Sequence, residues 1–198
     1  AQDALISAQN ALISREVERG TQVVLLCDSH AVNDIEFQQF PPHCIDGTEE
    51  TEIVPELSDV PGLRIPKQQF SSFSGTSLQQ TLQERGITEL VVCGVCTDIC
   101  VLHTVADARR LGYDVEVPAD CVASFDEAKH GFALDHMRNV LGAKVTYGVS
   151  APLRRQWDIP QDWLNGRTAD VYFLRTVEIL KKEGINPVVT MEVFPGMT

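Results

Sequence analysis

No apolar run in this chain approaches the roughly twenty residues that a membrane-spanning helix needs. The start carries no basic region followed by an apolar stretch of the kind that marks an export signal. Basic residues are scarce, with 16 Lys and Arg against 28 Asp and Glu and a net charge of −12. A binder of the phosphate backbone needs a basic face, so nucleic acid is a poor expectation and a small molecule a better one. Disulfide staples are not needed in a chain of 198 residues, and the six cysteines, at 27, 44, 93, 96, 100 and 121, fall mostly within or beside apolar strand-like runs. This predicts a soluble protein with reduced thiols in a cytoplasm, touching no membrane. The 43% of hydrophobic residues suffices for one full core and a small appendage.

Along the chain, helix and strand patterns alternate. Leu5, Ala8, Leu12 and Ile13 share a face of a helix over residues 4–19 that stops at Gly20. Val23 to Cys27 reads as a parallel strand covered on both faces. Residues 29–61 are loop-like and far longer than an ordinary connection, which marks a functional loop. Strands are expected at 63–65, 89–95, 114–118 and 144–147. Helices are expected at 77–85, 98–111 and 126–141, the last capped by Ser124 and stopped by Gly142. This order implies a three-layer α/β/α fold around a mostly parallel, Rossmann-like sheet, with ligands at the carboxyl ends of the strands.

Three stretches lie at such ends: residues 28–43, Lys67, and residues 96–100. Asp28 and His30 leave a strand at i and i+2 and can point the same way, while Glu36 and His43 return from the loop. Two imidazoles and two carboxylates form a mixed set suited to zinc, manganese or ferrous iron. Taken singly, His30 and His43 read better as solvated loop residues, and Lys67 as a solvated lysine. Close to Cys100, however, the Lys67 ammonium would lower the thiol pKa. Cys100 itself sits just inside a helix start, where free N–H groups favour the thiolate, although a core thiol is the alternative reading. Cys93 to Cys96 formally spell CxxC, but Cys93 lies in an apolar strand and reads as a small buried hydrophobe.

Together, Phe40-Pro41-Pro42-His43 with Gly47-Thr48, Lys67 with Ser72-Phe73-Ser74-Gly75-Thr76, and Gly94-Val95-Cys96-Thr97-Asp98-Ile99-Cys100-Val101 with Thr104, Asp107 and Ala108 resemble the nicotinamidases of the isochorismatase-like cysteine hydrolase superfamily. The resemblance covers residues 1–147 and implies an Asp, Lys, Cys triad with a bound divalent metal, usually zinc. Cys100 matches the nucleophile and Lys67 the triad lysine. Asp28, His30 and His43 match metal ligands, with Glu36 at the remaining ligand position and Asp34 as the fallback. A cis peptide is implied between Cys96 and Thr97, aiming the Cys96 and Cys100 N–H groups at an oxyanion. Phe40 and Phe70 match aromatic positions that sandwich a pyridine ring. The implied reaction is hydrolysis of nicotinamide to nicotinate and ammonia in NAD salvage, through a cysteine thioester. The isochorismate-cleaving type is disfavoured, since Cys100 and the metal set are both present. Another small amide, or a metal-binding domain without activity, is the alternative.

One departure concerns the triad aspartate. In the resembled family it ends a central strand before the opening helix, whereas this chain begins at that helix, so a fragment lacking its first strand and its acid/base is expected. A hydrolase domain over 1–149 would be followed by a linker at 150–160. Residues 161–198, with Tyr172 in a helix over 169–183 and a strand over 187–194, resemble the start of a nicotinate phosphoribosyltransferase, which implies a fusion. The oligomeric state, including a homo-oligomer, is left open.

Overall fold

The computed structural model describes residues 2–147. The expected linker and the transferase-like tail, with Tyr172, lie outside the described residues.

Helix α1 (Gln2–Glu18) buries Leu5, Gln9 and Leu12, a stripe at i, i+4 and i+7. Gln9 takes a place expected of Ala8: its amide donates to the Cys121 carbonyl at 3.1 Å, which satisfies a polar group inside the core. Gly20, at φ 82°, ends the helix region in a conformation that glycine adopts without penalty.

Strand β1 (Val24–Asp28) pairs in parallel with β2 (Leu63–Lys67), Asp28 opposite Lys67. The long segment between them is tied back by a parallel bridge from His30 to Ile45 and holds only short helical turns. Pro66 offers no N–H to a further strand, which suits β2 to a sheet edge. Helix α2 (Leu78–Glu84) follows, with Leu78 and Leu82 buried.

The stretch expected as one strand at 89–95 is two, β3 (Glu89–Val91) and β4 (Gly94–Val95). Helix α3 (Leu102–Arg110) buries Thr104, Val105 and Ala108. Strand β5 (Asp114–Pro118) pairs with β3, and the short β6 (Val122–Ala123) pairs with β4. Val91 to Gly94 advances three residues while the opposite run, Glu116 to Val122, advances six; the excess is the turn Ala119–Cys121, which splits the ladder.

Helix α4 (Glu127–Asn139) buries Ala133, Leu134 and Met137. Its cap is Asp126, whose carboxylate accepts from the Lys129 N–H at 2.9 Å, and not Ser124 as expected. Strand β7 (Lys144–Thr146) pairs with β5.

All strand pairs are parallel, with helices packed over them, as the sequence pattern predicts. The continuous sheet is instead three hydrogen-bonded groups among the described residues: β1-β2, β3-β5-β7 and β4-β6. β1, expected to be covered on both faces, is half-exposed along its whole length, because β2 is its one strand partner among the described residues. The main core gathers Ile65, Val101, Val105, Val117, Leu134 and Met137 between the sheet and α3 and α4. All the carboxyl ends of interest, Asp28, Lys67 and Val95, open toward the segment that carries Cys100.

Candidate active site

Strand β4 ends at Val95, and the chain leaves it through a cis peptide between Val95 and Cys96. The cis bond was expected one residue later, between Cys96 and Thr97. The register accounts for the difference: Val95 is the last residue laddered to β6, opposite Ala123, so the change of direction falls on the bond that leaves the ladder. Thr97–Val101 then form a wide π-turn in which both the Ile99 and the Val101 N–H groups donate to the Cys96 carbonyl at 3.1 Å. Such turns concentrate at functional sites. Cys100 therefore rides on a π-turn ahead of α3, not on the first turn of a regular α-helix.

Lys67, 5% exposed, reaches Cys100 Sγ at 3.5 Å, the Gln69 carbonyl at 3.1 Å and the Asp28 carboxylate in a direct ion pair. Burial pulls the lysine pKa down, but Asp28 and Cys100 together outweigh it and hold the group above its ordinary range. The thiol behaves the other way. Burial raises the Cys100 pKa above the ordinary thiol value and is offset only in part by the Lys67 charge, while Asp28 adds to the rise; hydrogen bonds from Lys67 and the Cys96 amide lower it. The expected thiolate bias is thus opposed by desolvation. Other cysteines are more inert still, with burial pushing Cys93 and Cys44 to about 11 and Cys121 to about 12.

Beside this chain of contacts, one donor atom each from His30, Glu36 and His43 lies within 4.8 Å of the others. His43 Nδ1 sits 2.9 Å from the Pro41 carbonyl, which can only accept, so Nδ1 donates, and Nε2 lies 3.6 Å from Glu36. His30 Nδ1 lies 3.1 Å from Asp34, a carboxylate whose pKa is held down first by its bond from the Glu36 N–H and then by His30. The His30 ring is 1% exposed and its Nε2 is buried without a hydrogen-bond partner. An orphaned, buried imidazole nitrogen beside a second imidazole and a carboxylate is the donor set that a zinc-like cation satisfies. The residues fit a metal. Asp34, the fallback ligand, instead orients His30 from behind.

Asp28 lies at the boundary of the two groups: its Oδ1 pairs with Lys67 and stands 4.0 Å from His30 Nε2. Phe40 and Phe70 meet each other edge to face, centroids 6.2 Å apart and planes at 89°, not as parallel faces. Phe70 also leans on His103, whose ring centroid lies 5.3 Å away. His103 had no signal in the sequence, and neither had His130, which reaches Thr97 from α4 at 2.8 Å.

Fold and site thus define a parallel α/β domain in which a buried lysine bridges a cysteine and an aspartate, next to a cluster of two histidines and a glutamate. The chain belongs to the isochorismatase family, whose isochorismatase domain model matches residues 1–147. An isochorismatase family protein of Bacillus subtilis (strain 168), PncA, is 41% identical over 140 residues, which span 65% of this chain and 76% of the relative. The crystal structure of a pyrazinamidase/nicotinamidase from Streptococcus mutans UA159 matches with a TM-score of 0.69 at 36% identity, covering 73% of this chain and 86% of that one. A Pyrococcus horikoshii pyrazinamidase in complex with zinc matches with a TM-score of 0.68 at 30% identity, covering 74% and 86%.

Proposed function

We propose that this chain carries the site of a nicotinamidase, hydrolysing nicotinamide to nicotinate and ammonia through a thioester on Cys100. The observation that carries the reading is the contact of Lys67 Nζ with both Cys100 Sγ and Asp28, immediately beside the His30, Glu36 and His43 cluster. In this reading the sulfur attacks the carboxamide carbon, and the backbone N–H groups of Cys96 and Cys100 hold the developing oxyanion. Lys67 stabilises the thiolate as it forms, and Phe40 and Phe70 line the ring. A carboxylate takes the thiol proton as the sulfur attacks and returns it to the departing ammonia, and water then releases nicotinate from the thioester. In the resembled family that group is an aspartate at the end of the strand that precedes the opening helix. His30, Glu36 and His43, with Asp28 as the nearby fourth group, would hold a divalent cation, zinc before manganese or iron. When bound, the cation supplies a Lewis acid for positioning a ring nitrogen. A role in NAD salvage, a cytoplasmic setting and coupling to a phosphoribosyltransferase that consumes the nicotinate complete the proposal.

A solved relative named as a pyrazinamidase/nicotinamidase supports the ring-amide reading. Ammonia release from nicotinamide is the test, run on the chain as it stands and on the chain extended at its amino end by a strand ending in aspartate. Release that disappears in Cys100→Ala is the expected result, and full activity in Cys100→Ala overturns the mechanism.

A further inference from the structure

Thr97 opens the π-turn, is completely buried, and carries a hydroxyl that a buried site cannot leave unpaired without cost. Its partner comes from a distant element: His130 Nδ1 on α4 lies 2.8 Å from Thr97 Oγ1 across 33 residues of sequence. The next residue of the turn, Asp98, accepts a hydrogen bond from the Ser124 hydroxyl, just ahead of α4. Two successive residues of the segment that presents Cys100 are thereby pinned by one stretch of chain, residues 124–130. Neither pin touches the sulfur, Lys67 or the histidine cluster. Val101, at the far end of the turn, is held in the core. At the near end Cys96 is buried, and the polar Thr97 and Asp98 that follow it are held by these two bonds. Burial keeps the His130 pKa below its ordinary range against the opposing pull of Glu127 and Asp98.

We infer that His130 is a positioning residue for the nucleophile: through its bond to Thr97 it fixes the π-turn that presents Cys100 and the Cys96 amide to the reacting carbonyl. The inference rests on the hydrolase reading for its catalytic consequence but not for its structural one. A bond that only filled space would be replaceable by any side chain of similar volume. A bond that sets the turn is replaceable only by a group offering a polar atom where Nδ1 stands, which asparagine does and alanine does not.

Two measurements test this on the intact chain: hydrogen exchange of the backbone amides of residues 97–101, and, in the form that releases ammonia, kcat and KM for nicotinamide. In His130→Ala, exchange in the turn is expected to rise while that of the β3 and β5 amides stays unchanged. The same variant lowers kcat by roughly tenfold with KM held, the scale of loss that follows from a small misplacement of a reacting group. His130→Asn restores most of both. Thr97→Val removes the other end of the bond while keeping the shape, and the double variant is expected to be no worse than either single one, because both delete the same interaction. If His130→Ala does not fold, Thr97→Val and His130→Asn carry the test. Turn exchange at the wild-type level in the variants, or additive effects in the double variant, overturns the inference. Absence of ammonia release from wild type counts against the hydrolase reading and leaves the exchange measurement to decide this one.

Discussion

Cys100 and Lys67 set opposite demands on one another, and the balance is measurable. The thiol pKa is raised by burial first and by Asp28, and lowered by Lys67 and the Cys96 amide. Because the raised value leaves less thiolate at neutral pH than an ordinary cysteine has, alkylation of Cys100 by iodoacetamide is expected to be slow at pH 7 and to climb only above the ordinary thiol range. Lys67→Met removes the main lowering influence and shifts the alkylation profile to higher pH. Asp28→Asn removes a raising one and shifts it to lower pH. A profile that stays in place or moves to lower pH in Lys67→Met would falsify the assignment of Lys67 as the group that activates the sulfur. At this scale the sequence was informative wherever the chemistry demanded an uncommon residue at a strand end, as at Lys67 and His30. It was silent on His130 and His103, ordinary helical residues whose roles exist only once α4 and α3 are packed. It misled on the thiol, since the helix-start argument takes no account of burial.

Among the elements, helices were the legible ones, because a stripe such as Ala133, Leu134 and Met137 repeats with the helical period. The strands β4 and β6, two residues each, carry no period to read, and the Ala119–Cys121 turn that offsets them is visible only in the register. Caps lie between these cases. Ser124 and Asp126 are both good cap residues by type, and the sequence alone does not separate them. The structure gives the cap to Asp126 and gives Ser124 to Asp98. Two substitutions resolve these roles. Asp126→Ala is expected to lower the unfolding free energy by about 1 kcal/mol in a urea titration with unchanged slope, the usual cost of losing an N-cap. Ser124→Ala should leave the α4 amides as protected as in wild type and loosen the turn at Asp98 instead. Loss of α4 protection in Ser124→Ala, with none in Asp126→Ala, would restore the sequence-based cap.

Over the whole molecule, the long segment between β1 and β2 is tied within itself by the His30–Ile45 bridge and the His30, Phe37 and His43 rings, and to the rest of the fold by contacts such as the Ser29 N–H to the Lys67 carbonyl, Asn10 to the Glu56 carbonyl and Phe40 against Phe70. The order of strands and helices was readable before the structure; the division of the sheet into three groups was not, since strand pairing is a property of the packed chain. A cation held by His30, Glu36 and His43 would cross-link the first half of this segment and bind the folded state alone, so its free energy would add to the stability of the fold. Zinc at about a hundredfold excess over its dissociation constant contributes roughly 2.7 kcal/mol, which for a domain of this size raises the melting temperature by on the order of 5–10 °C. That rise should appear in a thermal unfolding scan of the metal-free chain on adding zinc, and a chelator should reverse it. His43→Ala, which deletes a ligand, is expected to abolish the rise. Asp34→Asn, which leaves all three donor atoms in place but no longer holds the His30 ring with a charge, should weaken it. The same carboxylate links this behaviour to pH: its depressed pKa makes its contribution complete at neutral pH and lost as pH falls through the lowered value, so loosening of the segment in acid should be blunted in Asp34→Asn. Undiminished zinc stabilisation in both His43→Ala and Asp28→Ala would remove these residues from the metal site and leave the cluster as a set of packed loop side chains.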